Sequence, residues 1–353
     1  MRTIYIGMDI HKNFIQAAAI EENGGIIEQC RFDASQEHIT RFIQSLASPT
    51  YRIKAAIEST STWYHVYDML ESLGIDTTLV NARRTKVIAE SKIKTDKLDA
   101  LSIAHCLRTG FIAKSWIPPK NIRELRNIVR HRLALRKEMA RTKNRVHSIL
   151  LRNGIKHEFT DLFGRRGMEF LSRLEITGSD KYRLRSYLRI VESLMEEKKR
   201  TDNKIALLFK GSEEAMLLAS IKGIRYYSAM VIVSEIGDIR RFPNPKKLCN
   251  YAGLAPRTIQ SGSHVYHGRI LRECNQNLKW ILNQCVHSHI RFCKQSWITR
   301  LYYRIAKKKG KNKATVAASR KMLTIIWHML MKGEEFKSEF HRFLTGGSKQ
   351  GNR

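Results

Sequence analysis

Acidic residues are in short supply. In 353 residues, 32 Asp and Glu stand against 64 Lys and Arg, a formal net charge of +32. That imbalance points to a polyanionic partner. Nucleic acid comes first, because neutralising phosphates releases condensed counterions, and a membrane surface is the weaker option. Cysteine pairs are missing too: Cys30, Cys106, Cys249, Cys274, Cys285 and Cys293 contain no CxxC, so a disulfide framework is not expected. Cys285, His287, His289 and Cys293 are zinc-binding residue types, but their spacing in a helix-like apolar segment is unlike a usual ligand set. They read as core and surface positions. No apolar run is long enough to span a bilayer, and charge interrupts the opening MRTIYIGMDIHK too soon for a signal peptide. The expectation is an intracellular protein without a membrane partner. A GxxxxGK[ST] phosphate loop is also absent, which argues against nucleotide hydrolysis.

What is present is a foldable chain, 42% hydrophobic and long enough for two or three domains. Residues 3–10, 14–20 and 26–32 read as three strands of an antiparallel meander, with Glu21-Glu22-Asn23-Gly24-Gly25 as a turn. Ser35 caps a helix through Leu46, and Ile53 to Glu58 is a short buried strand. A helix from Ser61 to Leu73 is closed by Gly74, and residues 76–80 form the next strand. The order predicts an α/β N-terminal domain, a mixed sheet with helices on its faces.

Four acids stand out in this basic background. Asp9 and Glu58 end two of the strands, while Asp96 and Asp99, three residues apart in Lys94 to Asp99, share one face of a helical first turn. Either helical acid alone is explained by the positive end of a helix. Packed together without cations, four carboxylates would repel, so the set implies divalent metal, Mg²⁺ or Mn²⁺. Two Mg²⁺ ions about 3.5–4 Å apart would orient a phosphodiester and activate the attacking oxygen.

Beyond Pro118-Pro119 the character changes. Residues 121–152 contain neither Gly nor Pro and place Leu125, Ile128, Leu135, Met139, Val146, Ile149 and Leu150 at helical spacing among many Arg and Lys. They predict a long basic amphipathic helix. Residues 180–209 predict a second, so the pair forms an antiparallel arm or coiled coil, with short helices alone between them. Leu217–Ile224 and Ala229–Gly237 resemble a helix-hairpin-helix unit around Lys222-Gly223-Ile224, a turn able to offer N–H groups to phosphate. Ala255 to Ser263 reads as an exposed loop carrying Ser261-Gly262-Ser263. Lys307 to Lys313 reads as a solvated loop able to clamp phosphates, followed by an apolar helix over 314–331. The expected divisions are 1–117, a metal-binding domain; 118–210, the helical arm; 211–343, a mainly α C-terminal domain; and 344–353, a flexible tail.

Taken in order, Gly7-Met8-Asp9-Ile10-His11-Lys12, Ala56-Ile57-Glu58-Ser59, Lys94 to Ala100, Tyr251 to Pro256 leading to Gln260-Ser261-Gly262, and the 317–331 helix resemble the IS110-type transposases. The resemblance covers nearly the whole chain. It implies a RuvC-like, RNase H-type domain in which Asp9, Glu58, Asp96 and Asp99 bind Mg²⁺. It further implies a coiled-coil arm and a transposase domain whose Ser261 is the nucleophile, with Ser263 the alternative. In the mechanism it implies, the Ser hydroxyl attacks a phosphodiester, and reversal of the phosphoserine link reseals the strand without nucleotide hydrolysis. The implied partners are donor and target DNA, a structured guide RNA transcribed from the element, and further copies of the chain in a dimer or tetramer. The metal site of one subunit would face the serine of another. The implied location is the prokaryotic cytoplasm, at the nucleoid.

The cations expected to touch nucleic acid are Lys12 and Lys94 beside the acids, and Arg130, Arg136, Arg141, Lys143 and Arg145 on the long helix. Lys222 lies in the glycine turn. Arg257, Arg269 and Arg272 flank the serine, and Lys307, Lys308, Lys309 and Lys311 form the late run. Three rivals stand below this reading. A RuvC-like junction nuclease using water would need the acids and not Ser261, and a non-catalytic binding protein would need neither metal nor serine. An actin-like ATPase would need a glycine-rich phosphate loop.

Overall fold

The computed structural model describes residues 2–60, 62–81, 95–261, 264–270 and 273–336. Lys94, Ser263, Arg272 and the tail expected at 344–353 lie outside the described residues, and for Arg257, Ser261 and Arg269 only the backbone is described. The chain divides into two compact units, Met1–Ile117 and Pro118–Arg353.

In the first unit the apolar runs form the strands expected of them: β1 (Arg2–Ile10), β2 (Phe14–Ile20), β3 (Ile26–Asp33), β4 (Tyr51–Glu58) and β5 (Asp76–Val80). Their order is β3-β2-β1-β4-β5, a mixed sheet in which β1 runs antiparallel to β2 and parallel to β4. Because side chains alternate along a strand, Ile4, Ile6, Met8 and Ile10 share one face. There they pack with Ile39, Phe42 and Ile43 of α1 (Gln36–Leu46) and Val66 and Leu70 of α2 (Trp63–Ser72). Ser35 opens α1, its hydroxyl accepting from the His38 amide at 3.4 Å.

The opposite face of β1 carries Gly7 and Asp9, and α3 (Asp96–Thr109) lies across it. Thr95 starts α3 by accepting from the Leu98 amide at 3.3 Å, and Gly110, at φ 72°, ends it. A Cβ at Gly7 would overlap the Ala100 carbonyl oxygen and the Ala104 amide, so helix backbone rests on strand backbone at this point.

The second unit is built on α4 (Lys120–Arg152) and α6 (Gly178–Lys210), each 33 residues long. Ion pairs Arg132–Asp202 and Arg152–Asp180 set them antiparallel. At their far ends, with α5 (Arg165–Arg173), they enclose a separate core including Val146, Ile149, Phe163, Leu171 and Leu188. At their near ends Val129 and Ile205 enter the main core. That core is shared by α7 (Glu213–Ala219), α8 (Tyr226–Ile236), α9 (Pro245–Tyr251), α10 (Gln276–Phe292), α11 (Trp297–Lys309) and α12 (Lys311–Lys332).

Two sequence expectations need correction. Ala255 to Ser263 is not a plain loop: β6 (Pro256–Ser261) pairs antiparallel with β7 (His264–Ile270), Ile259 facing Tyr266 and Ser261 facing His264. Thr258, Ile259, Val265 and Tyr266 are strand-favouring residues, and pairing satisfies the backbone that a loop would leave to water. Lys307 to Lys313 is not a loop either. Three of its lysines finish α11, where cations suit the negative helix end, and Lys311 opens α12 directly after Gly310, at φ 84°. The Lys222-Gly223-Ile224 turn does join two helices, α7 and α8. Gly223 has φ 103°, and a Cβ there would come within 2.7 Å of the His289 amide nitrogen on α10. The glycine therefore serves helix packing, with the Lys222 side chain exposed.

Replacing Gly7 by Ala is expected to destabilise the first unit by about 1–3 kcal/mol, since neither backbone in contact can yield. Urea unfolding measures it, and a change below about 0.5 kcal/mol would contradict the close contact. His289 supplies a second test. It is fully buried, its Nδ1 2.5 Å from the Lys222 carbonyl oxygen and its Nε2 2.6 Å from the Ser296 hydroxyl. Burial lowers its pKa below the ordinary 6.5, although the Lys222 carbonyl opposes this. The unfolded chain therefore binds the proton first, and stability is lost as pH falls below about 6.5. The melting difference between wild type and His289→Gln should shrink from pH 7.5 to 5.5. A difference constant with pH would contradict the lowered pKa.

Candidate active site

Asp9 is the next-to-last residue of β1 and is buried. Met8 pairs with Ile57 in the parallel ladder, so Asp9 and Glu58 stand one residue further along neighbouring strands, at the same edge of the sheet. The half-buried Glu58 closes β4. From the helix side, α3 begins at Asp96 and presents Asp99 one turn later, both half-buried.

His11 joins them. Its Nε2 lies 3.1 Å from Asp9 Oδ2 and 3.6 Å from Asp96 Oδ1. One ligand atom from each of Asp9, His11 and Asp96 lies within 4.8 Å of the others, a spacing that can hold a metal ion. The ring is oriented by stacking on Phe14, centroids 4.4 Å apart, and Phe14 in turn carries the Arg31 guanidinium 3.5 Å above its centre. Burial raises the Asp9 pKa, His11 lowers it, and the charges of Asp96 and Asp99 raise it further. A buried carboxylate whose neighbours raise its pKa is stabilised as an anion by a bound cation. Two carboxylates with one imidazole form a donor set able to hold a divalent cation, so the residues present fit a metal site.

The structure thus brings Asp9 and Asp96 into one cluster, sets Asp99 close enough to act on Asp9 through its charge, and puts Glu58 at the end of the adjacent strand. His11 was overlooked as a site residue. The signal was the strand period of two, which carries residues 9 and 11 to one face.

Ser261 ends β6 in the second unit, opposite His264. Of the cations expected to meet nucleic acid, those on α4 have protein partners. Arg130 donates to both oxygens of Glu235, at 2.8 and 2.7 Å. Arg136 lies over Trp280, Lys143 over Phe163 and Arg145 over Tyr187, while Arg141 pairs with Glu138. Lys12, Lys222, Lys307, Lys308, Lys309 and Lys311 are exposed.

Comparison with known proteins gives matches in both units of the chain. A transposase family model of the IS110 DEDD type matches residues 6–153, a span that includes positions 9, 58, 96 and 99. A second, described as the transposase IS116/IS110/IS902 family, matches residues 215–304, which contain the hairpin and Ser261. Among similar proteins, the transposase for insertion sequence element IS1533 of Leptospira borgpetersenii is 28% identical over 69% of this chain and 72% of its own. The transposase for insertion sequence element IS1111A of Coxiella burnetii is 25% identical over 94% and 91%. A pilin gene-inverting protein of Moraxella bovis is 27% identical over 97% of this chain and its whole length. With both parts of the family pattern matched in order over more than half its length, the chain belongs to the IS110 family of insertion-sequence transposases, enzymes that recombine DNA.

Proposed function

We propose that this transposase cuts and rejoins DNA through Ser261, with Asp9, Glu58, Asp96 and Asp99 forming a divalent-metal site and His11 completing it. The observation that carries the metal site is the gathering of Asp9, His11 and Asp96 within 4.8 Å. Mg²⁺ or Mn²⁺ bound there would supply charge stabilisation for a phosphodiester oxygen.

The protein's own residues do the rest. The Ser261 hydroxyl loses its proton and its oxygen attacks phosphorus. A serine–phosphate bond forms as the bond to one sugar oxygen breaks, and that oxygen leaves as a free hydroxyl after taking a proton. The phosphoester keeps the bond energy, so a hydroxyl of the exchanged strand reverses the step and releases the serine. Lys12 and the exposed lysines at Lys222 and Lys307–Lys311 supply phosphate contacts. The net charge of +32 suits a structured guide RNA as well as donor and target DNA. The working form is a homo-oligomer in which one copy's acids face another copy's serine. No described helix is long and apolar enough to cross a membrane, and the place of action is the nucleoid.

The test is a denaturation-resistant protein–DNA adduct formed with element DNA, target DNA and candidate RNA in Mg²⁺. Wild type and Ser263→Ala are expected to form it, while Ser261→Ala and Asp9→Asn lose it by at least about 10³-fold. Strand cleavage that persists in Ser261→Ala without any adduct would replace this mechanism with hydrolysis by a RuvC-like junction nuclease. His11→Ala is expected to weaken divalent-metal binding roughly 10–100-fold, followed by Mn²⁺ calorimetry. Unchanged affinity would remove His11 from the site.

A further inference from the structure

Glu235, on α8, is completely buried and belongs to none of the metal-site residues. Its carboxylate accepts four hydrogen bonds. Oε1 takes Arg130 Nε at 2.8 Å and Asn277 Nδ2 at 3.0 Å, and Oε2 takes Arg130 at 2.7 Å and Asn275 Nδ2 at 2.8 Å. Its backbone carbonyl accepts from the Tyr251 hydroxyl at 3.1 Å and from Arg126 at 3.0 Å. Burial works against its ionisation, yet the Arg130 guanidinium and the two amides hold its pKa below the usual carboxylate range.

The placement of these partners is informative. Tyr251 is the last residue of α9, just before the chain enters β6, and Asn275 caps α10 just after it returns from β7. The two close on each other: the Asn275 amide donates to the Tyr251 carbonyl at 2.8 Å, and the Asn275 side chain donates to the Tyr251 hydroxyl at 3.0 Å. Between them in the chain lie β6 and β7, the strand pair that bears Ser261. The returning root is therefore bound to the Glu235 carboxylate directly, and the outgoing root to the Glu235 backbone carbonyl and, through the Asn275 side chain, to the same carboxylate; through Arg130 that carboxylate is tied to the long helix α4.

The geometry points to Glu235 as the positioning residue of the Ser261 hairpin: its carboxylate locks the outgoing and returning chain to α4 and so fixes the direction in which the serine is presented. This rests on Ser261 being the nucleophile. A nucleophile displaced by about 1 Å can lose 100-fold in rate, so a rigid root matters even though it lies several residues from the reacting oxygen. A glutamine at 235 keeps the shape but offers one acceptor where four donors converge, and its own amide would face donors.

The test compares wild type with Glu235→Gln in the full-length protein, well below either melting point. Two quantities are read: amide hydrogen exchange over 252–275, and the rate of serine–DNA adduct formation beside DNA affinity. Expected for the variant are at least tenfold faster exchange in β6 and β7, with α4 and α12 unchanged, and an adduct rate at least tenfold lower with DNA affinity within threefold. A purely structural role would loosen the unit evenly, and that result would overturn the proposal. So would hairpin exchange or an adduct rate equal to wild type. Should Glu235→Gln not fold, Asn277→Ala removes one of the four bonds and is expected to move both quantities at least threefold, no change overturning the proposal. If wild type itself forms no adduct, the serine mechanism has failed, and hairpin exchange alone then decides the clamp.

Discussion

The backbone of α3 rests on the backbone of β1 at Gly7, and the chemistry of the first unit depends on that approach. Any side chain at Gly7 would meet the Ala100 carbonyl oxygen and lift the helix from the sheet. The helix begins at Asp96, four residues before Ala100 and about one turn away. The strand carries Asp9 two residues beyond Gly7 on the same face. One contact between a residue without a side chain and a helix rich in small residues thus brings an acid from the helix to an acid from the strand. Thr95 fixes where the helix starts, so the turn bearing Asp96 and Asp99 is set in phase as well as in distance.

The second unit solves a different problem. A fully buried carboxylate is unfavourable unless its lone pairs are filled, because desolvation exceeds what one ion pair returns. Glu235 meets that condition with a two-pronged guanidinium and two amides from the same stretch of chain. An apolar residue in its place would pack without that penalty and keep the backbone bond from Tyr251, but it could not hold Asn275 and Asn277 in one arrangement. Directional bonds give the hairpin a defined root, which dispersion contacts do not supply.

Much of the first unit was legible because each signal was local. The run TIYIGMDI, the Ser35 cap, the turn before Ile26 and the spacing of Asp96 and Asp99 all act within a few residues. The long helices announced themselves by apolar spacing and by lacking Gly and Pro over 121–152. The hairpin at 256–270 did not, since Ser-Gly-Ser, Gly268 and scattered Arg mask a short alternation that only pairing stabilises. The run at 307–313 looked like a solvated loop because charge was read without helix ends. Lysines that close α11 gain from the helix dipole, and a single Gly310 suffices to turn the chain into α12. His11 had a local signal in its spacing from Asp9, whereas Glu235 draws its importance from partners on α4 and α10, and no local pattern reports such partners.

Arg130, Arg132, Arg141 and Arg152 all have acidic partners within the fold. Each such pair uses one cation and one acid, so internal pairing leaves the excess of +32 untouched. Over a Debye length that excess attracts a nucleic acid. At the edge of the first sheet the sign is locally reversed among the described residues, where Asp9, Asp96 and Asp99 lie together around His11. A phosphodiester brought to within about 4 Å of one carboxylate is repelled by about 4 kcal/mol at an effective dielectric of 20, and the repulsions add. The long-range field and the local cluster would then oppose each other on the same substrate. A divalent cation held between the acids removes the conflict, and this difference of sign is the electrostatic argument for a metal in the proposed site.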